Sequence, residues 1–183
     1  MLNYTKVTSL LSQVDAADAE QGFVHTVIPA LATLWIDDYS RRTKNPEIVQ
    51  TTDSGFFYLF DIPAGRLVAA WGISRGRHAG ARGAARMAGH PLSAGSLYHR
   101  GHAIPHTLGG PTDINLVPQL ARINIGPFRP LEKKAVSTPG SMYFTYWCYP
   151  PNQSAPHATQ TPTGVDQGLL IAGQPPQITR HGN

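Results

Sequence analysis

The spacing of apolar residues changes once along this chain, after residue 45, and the change restricts it to folds that combine helices with a sheet. Before that point Val7, Leu10, Leu11 and Val14 lie at i, i+3, i+4 and i+7, the spacing of one helix face. After it, short aromatic and β-branched runs alternate with glycine and proline, which is typical of strands joined by turns. The pattern predicts an α+β fold with an N-terminal helical segment and a central antiparallel sheet.

The individual elements follow from the same periodicities. A second helical pattern runs from Ala16 to Lys44, and Pro29 within it predicts a kink or two abutting helices, with Pro29 in the first turn of the second. Residues 75–95 consist largely of Gly, Ala and Arg and predict a surface loop. We expect a hairpin at 55–62 and 66–74, short strands at 96–99 and 114–117, a helix at about 125–138, a strand at 142–149 and a last apolar run at 168–172.

Length and composition predict one domain. With 183 residues, 41% of them apolar, the chain can bury a substantial core. We divide it into a helical segment (1–47), a core (54–150) and a Pro-rich tail with a final strand (151–183). The single cysteine, Cys148, excludes an intrachain disulfide and is expected to be a buried thiol. Residues 1–6 lack the features of a secretory leader, and the longest near-apolar run is too short for a bilayer, so we expect a soluble protein without membrane insertion.

The net charge of +4 conceals two opposed blocks. Residues 1–61 hold eight carboxylates against four Lys or Arg, whereas residues 62–183 hold three carboxylates against eleven. No carboxylate occurs from residue 62 to residue 112, where six arginines accumulate. This asymmetry predicts a polyanionic partner. The arginines of this block are Arg66, Arg75, Arg77, Arg82, Arg86 and Arg100.

A short stretch of the basic block combines residues suited to phosphodiester hydrolysis. It contains Arg100-Gly101-His102, then Asn115 three positions before Pro118-Gln119, and then Asn124 and Glu132. A histidine can take a proton from water near neutral pH, and an arginine can neutralise charge on phosphate. An amide oxygen can hold Mg²⁺, which needs few protein ligands because it retains several waters.

At these residues the chain resembles the DNA/RNA non-specific endonucleases of the ββα-metal (His-Me finger) class. The family pattern is Asp-Arg-Gly-His, then Asn-x-x-Pro-Gln, then an Asn nine positions after the first Asn, and a Leu-Glu whose Glu lies eight positions further. Here the second and third motifs keep the spacing of Asn115, Asn124 and Glu132. The resemblance covers about residues 96–135 and implies a ββα finger at about 96–138.

The resemblance implies a Mg²⁺-dependent endonuclease in which Mn²⁺ can replace Mg²⁺. The enzyme would cleave DNA with little sequence preference, and RNA is a second candidate substrate. His102 would be the general base and Asn124 the metal ligand. Asn115 and Glu132 would position metal-bound water or the base, and Arg100 would support the phosphate or the local structure of the motif. The nearby loop would contact nucleic acid through Arg75, Arg77, Arg82 and Arg86.

Two departures from the family pattern affect the site. His99 stands where the family has Asp, so this loop lacks that carboxylate. Pro127 and Pro130 lie in the expected helix, and an interior proline removes a hydrogen bond and clashes one turn back. We therefore expect the helix to begin at residues 125–127, with Asn124 at its cap.

Other interpretations of the same residues remain open. Asn124 can be an ordinary N-cap, His102 a loop histidine and the arginine run a solvated loop. His99, His102 and His106 suggest zinc, although Pro105 argues against a shared helix face. The whole chain could be a non-catalytic nucleic-acid-binding module or a structural interaction protein.

The family also suggests a delivery route and partners. Nucleases of this size and class often resemble bacterial toxin domains delivered by specialised secretion systems. The acidic N-terminal segment would then be a surface for an immunity protein or a secretion carrier, or it would simply cover the core.

Overall fold

A computed structural model describes residues 2–80, 91, 94–155 and 157–183. Within these residues the chain folds as a mixed α+β structure, as the change of periodicity predicts. Both polar and apolar segments form strands, because strands are held together by backbone hydrogen bonds, which every residue type except proline can donate. The strands are β1 (Ile48–Asp53), β2 (Phe56–Asp61), β3 (Arg66–Ile73), β4 (Tyr98–His102), β5 (Leu116–Leu120), β6 (Met142–Cys148), β7 (Gly164–Leu170) and β8 (Gln177–Gly182).

The strands form one large sheet and one small ribbon. Six strands pair in the order β1-β2-β3-β6-β7-β8, all antiparallel. β4 and β5 form a separate antiparallel pair, in which His102 lies opposite Leu116 and His99 opposite Gln119. The predicted central antiparallel sheet is therefore present, and the motif residues lie outside it, on the ribbon, the loop that joins its strands and the helices that follow.

The helices are concentrated at the N-terminus and after β5. The predicted break at Pro29 is confirmed, because the helix that contains it begins at Ile28, with the proline in its first turn. A π-helical turn, Phe23–Val27, joins this helix to the preceding one. The helices are α1 (Thr5–Leu11), α2 (Ala19–Gly22), α3 (Ile28–Arg42), α4 (Ala121–Asn124) and α5 (Arg129–Ser137).

Helix α3 covers one face of the large sheet. Its fully buried Leu31, Trp35 and Tyr39 recur every four residues and so form one apolar stripe. The Trp35 ring lies 5.2 Å from Phe144 and 5.7 Å from Trp71, centroid to centroid. Both partners lie on central strands, so this aromatic cluster fixes the helical layer to the middle of the sheet.

Several carboxylates of the acidic N-terminal block are used inside the molecule. Tyr39 donates a 2.5 Å hydrogen bond to the buried Asp61. Asp38 is ion-paired with Arg42 of the same helix and accepts a 2.6 Å hydrogen bond from Tyr146 of β6. These contacts join α3 to the sheet, and they favour the interpretation of the acidic segment as structural cover.

The Asp38 contacts predict a loss of stability in acid. Burial raises the pKa of Asp38, but hydrogen bonds from Tyr146 and Arg42 outweigh burial and hold this pKa below its ordinary value of 3.8. A depressed folded-state pKa contributes stability above the unfolded-state pKa, and this stability is lost as pH falls through the folded-state value. We expect Asp38→Asn to flatten the acid limb of the unfolding free energy, measured by urea denaturation across pH. Asp37→Asn, on the exposed neighbour, should leave that limb unchanged.

The opposite sheet face holds the start of α5 in place. Phe128 immediately precedes α5, is fully buried, and lies 6.3 Å from Trp147 and 5.4 Å from His181 between ring centroids. The buried Gln167 side chain donates a 2.9 Å hydrogen bond to the Phe128 carbonyl. The large sheet thus sets the position from which α5 begins.

The starts of two strands, and the number of strands, differ from those that the sequence predicts. The ribbon strands begin two residues later than expected, at Tyr98 and Leu116. Strand β1 and strand β8 are polar edge strands that the apolar pattern does not reveal, and the tail therefore holds two strands rather than one. Residues 75–80 lie outside regular structure, as the predicted loop requires, whereas residues 81–90, 92 and 93 of that loop lie outside the described residues.

Candidate functional site

A cavity of about 790 Å³ lies where the ribbon meets the helices that follow it. Arg100 and His102 line it from β4, Asn124 from the end of α4, and Glu132 from α5. The strand, strand, helix order that the motif spacing predicts thus brings four of the predicted residues to one cavity. Asn115 does not line it.

The β4 strand presents Arg100 and His102 to the cavity through ordinary strand alternation. Arg100 and His102 are two residues apart and so project from the same side of β4. Between them Gly101 is buried, and a Cβ built on it would lie 2.2 Å from the Gln119 side-chain oxygen. The glycine of the first motif is therefore required by the close packing of β4 on β5.

His102 is half-buried at the end of β4. Its ring meets His106 edge to face, with centroids 6.0 Å apart, and His106 meets His78 in the same way at 6.0 Å. Within the described part of the chain, no three His, Cys, Asp or Glu side chains form a metal-binding group. The zinc interpretation of His99, His102 and His106 therefore has no geometric support there.

Arg100 serves both the cavity and the chain that precedes β4. Its Nε donates a 3.1 Å hydrogen bond to the Pro91 carbonyl, and its half-buried side chain also lines the cavity. The arginine therefore holds the backbone at residue 91 against the ribbon.

The expected start of the helix after Asn124 is wrong. Asn124 is the last residue of the short α4, and α5 begins only at Arg129, with Pro130 in its first turn. Proline is tolerated in the first turn because its missing N–H would have no partner there. The helix α5 thus starts five residues after Asn124, and its N-cap is Phe128 rather than Asn124. The Asn124 side chain is half-buried and faces His99, with Nδ2 3.2 Å from the His99 Nδ1.

Asn115 supports the chain that follows His102. It is fully buried, and its Oδ1 accepts a 2.7 Å hydrogen bond from the Ile104 N–H. Its Nδ2 donates to the carbonyls of Ile104, at 2.8 Å, and Pro111, at 2.9 Å. Both polar atoms of the amide are therefore bonded to backbone, and Asn115 closes the loop between β4 and β5.

Glu132 lies in the first turn of α5, where the helix dipole favours a carboxylate. The side chain is half-buried and lines the cavity. Burial, with a smaller contribution from the Glu132 charge, raises the pKa of the buried Tyr143 well above its usual value. The Glu132 carboxylate thus lies between the cavity and the sheet.

The four predicted loop arginines have different positions. Arg77 lines the cavity. Arg75 lies outside it and is held in a two-point ion pair with Glu20 of α2, with one N–O distance of 2.8 Å. Arg82 and Arg86 lie outside the described residues.

Two further cations line the cavity, and the sequence interpretation missed both. Arg129 and Lys133 lie four residues apart on α5, on either side of Glu132 in sequence. Their i, i+4 spacing within a predicted helix was the available signal, since such residues share a face. Among the described residues, Arg77, Arg100, Arg129 and Lys133 give the cavity lining four formal positive charges against the one carboxylate of Glu132. A concave site with this balance favours an anionic ligand.

Comparison with known proteins adds no assignment. The chain matches no protein-family model, and a search of curated proteins finds no match. Among the described residues, no helix is both long enough and apolar enough to cross a membrane.

Proposed function

We propose that the chain is a metal-dependent endonuclease that hydrolyses phosphodiester bonds of DNA, with RNA as a second candidate substrate. One observation carries the proposal: a single cationic cavity collects His102, Arg100, Asn124 and Glu132, four of the five site residues that the family motifs single out. The net positive lining supports a polyanionic substrate. Contacts from arginine and lysine side chains to phosphate groups carry no information about base sequence. This supports cleavage with little sequence preference.

The donor chemistry of the cavity fits Mg²⁺. The Asn124 amide and the Glu132 carboxylate are half-buried and line the same cavity, and both offer the oxygen atoms that Mg²⁺ prefers. Few protein ligands suffice, since this ion keeps several waters. Asn124 would hold the ion, and Glu132 would orient water near it. When bound, Mg²⁺ would neutralise charge on the phosphate and the leaving oxygen.

His102 would act as the general base of the reaction. Its imidazole would take a proton from the attacking water as that water's oxygen bonds to phosphorus, while the bond from phosphorus to the leaving oxygen breaks. The leaving oxygen would then take a proton from solvent. Arg100 would stabilise the charge that develops on the phosphate oxygens. Asn115, bonded entirely to backbone, would act indirectly by fixing the chain that follows His102.

Incubation of plasmid DNA with the purified protein, in Mg²⁺ and in EDTA, tests the proposal directly. We expect nicking and linearisation in Mg²⁺ or Mn²⁺, and intact plasmid in EDTA. The alternative, a non-catalytic nucleic-acid-binding module, is favoured by His99 in the position where the family has Asp. Salt-sensitive DNA binding without metal-dependent nicking would establish that alternative and exclude the enzyme.

Arg77 and Arg75 form a matched pair for testing where nucleic acid binds. We expect Arg77→Ala to weaken DNA binding and to reduce the slope of log K against log salt by about 1, because one phosphate contact is lost. Arg75→Ala should have little effect, since that guanidinium is engaged by Glu20 outside the cavity. Binding measured by fluorescence anisotropy at several salt concentrations gives both slopes. Equal losses in the two variants would contradict the assignment of the cavity as the DNA site.

A further inference from the structure

His99 and Asn124 meet at the edge of the cavity, although they lie on different elements. His99 is on β4, and Asn124 ends the helix that directly follows β5. Both line the cavity, and the Nδ1 of His99 lies 3.2 Å from the Nδ2 of Asn124. An amide nitrogen can only donate, so the imidazole Nδ1 is the acceptor of this hydrogen bond.

This contact determines that the nitrogen of the Asn124 amide, and not its oxygen, faces His99. A terminal amide exchanges its oxygen and nitrogen by rotating half a turn, and only its hydrogen-bond partners select one orientation. Within the described residues, the bond to His99 is the one hydrogen bond of the Asn124 side chain. While Nδ2 is held by His99, Oδ1 is directed away from the imidazole and stays available to a cation.

We propose that His99 is the positioning residue for the metal ligand Asn124. The proposal rests on the proposed function, because it concerns the ion that Asn124 would hold. Here an imidazole nitrogen provides the acceptor at a position where the family has a carboxylate. His99 orients the ligand and does not itself bind the ion.

Two substitutions of His99 test whether the position of the acceptor atom matters, or only the presence of a polar side chain. His99→Asn places an amide oxygen near the position of Nδ1, whereas His99→Gln places one near the position of Nε2. The bond to Asn124 uses Nδ1, so only His99→Asn should preserve it. His25→Ala is the matched control, since His25 is also exposed and bonded to a side-chain amide, that of Gln21 at 2.8 Å, outside the cavity.

The readout is the affinity for Mn²⁺ alone, measured on the full chain by electron paramagnetic resonance of the free ion. We expect His99→Gln to weaken Mn²⁺ binding about 10–100-fold, as is typical when the partner of a ligand is lost. His99→Asn and His25→Ala should bind as the wild type does. Because His99 is exposed, thermal unfolding of all variants should match that of the wild type.

Each other outcome overturns a specific statement. Wild-type affinity in His99→Gln would exclude a positioning role for His99. Equal loss in both His99 variants, or an imidazole nitrogen coupled to bound Mn²⁺ in spin-echo spectra, would replace positioning by direct ligation. Asn124→Ala separates this proposal from the proposed function: if it binds Mn²⁺ like the wild type, the metal site itself is wrong and His99 has no ligand to position.

Discussion

Replacement of His102 by alanine is expected to lower the rate of plasmid cleavage by about 10²–10⁴-fold, the usual contribution of a positioned general base. The side chain is half-buried and lines the cationic cavity, whereas its backbone pairs with Leu116 across the ribbon. The strand pairing does not use the imidazole, so the variant should fold. DNA binding should persist, because the cationic residues of the cavity are unchanged.

Chemical rescue by free imidazole distinguishes loss of the general base from disruption of the site. The cavity is large enough to admit free imidazole, so millimolar imidazole should restore part of the activity of His102→Ala in a concentration-dependent way. The measurement is the initial nicking rate with and without imidazole, at fixed Mg²⁺ and salt. Cleavage by the unrescued variant at the wild-type rate would remove His102 from its assigned role. Loss of folding would make the residue structural instead.

Replacement of Asn115 by aspartate is expected to lower the free energy of unfolding by about 3 kcal/mol at neutral pH. The substitution keeps the oxygen that accepts from the Ile104 N–H. It replaces the donor nitrogen by a second oxygen, which would face the carbonyls of Ile104 and Pro111 in a fully buried site. The new oxygen and the two carbonyl oxygens are all acceptors, so no hydrogen bond could form among them. The negative charge of the carboxylate would also be buried without a cation beside it.

The pH dependence of this variant follows from the same contacts. Burial beside two carbonyls should raise the pKa of the new carboxyl above its unfolded-state value. A raised folded-state pKa means that the charge-dependent loss of stability is absent below the unfolded-state pKa, grows as pH rises above that value, and is complete once pH exceeds the folded-state pKa. Urea denaturation in mild acid and at neutral pH measures the change. Asn152→Asp, at an exposed turn, is the control and should cost little at either pH.

The two outcomes together test how the site is organised. If Asn115→Asp is as stable as the wild type at neutral pH, the hydrogen bonds that close the loop between β4 and β5 are not those described. If it is unstable in the expected way, its folded fraction should also cleave DNA slowly, because the chain after His102 would be displaced.

Local patterns predicted the part of the fold that depends on local chemistry. The stripe of α1, the break at Pro29, and the strands β2, β3 and β6 follow from apolar spacing and turn residues. The edge strands β1 and β8 could not be found in this way, because strands of that composition are stabilised by pairing with partners distant in sequence. The start of α5 was misjudged for a related reason. Pro130 allows the helix to begin at Arg129, and burial of Phe128 against the sheet favours that start.

The same distinction between local sequence patterns and tertiary packing applies to the candidate site. The residue types and spacing of Arg100, His102, Asn124 and Glu132 can be read from the amino-acid sequence, since motif distances depend only on the chain. Which basic residues face the cavity depends instead on how the chain packs. Arg66 is fully buried against the Tyr149 ring, and Arg75 is held by Glu20, so neither lines the cavity, whereas Arg77 does. A net charge counts every arginine alike, but packing fixes where each guanidinium points, and so the fold rather than the composition sets the field that a phosphate would meet.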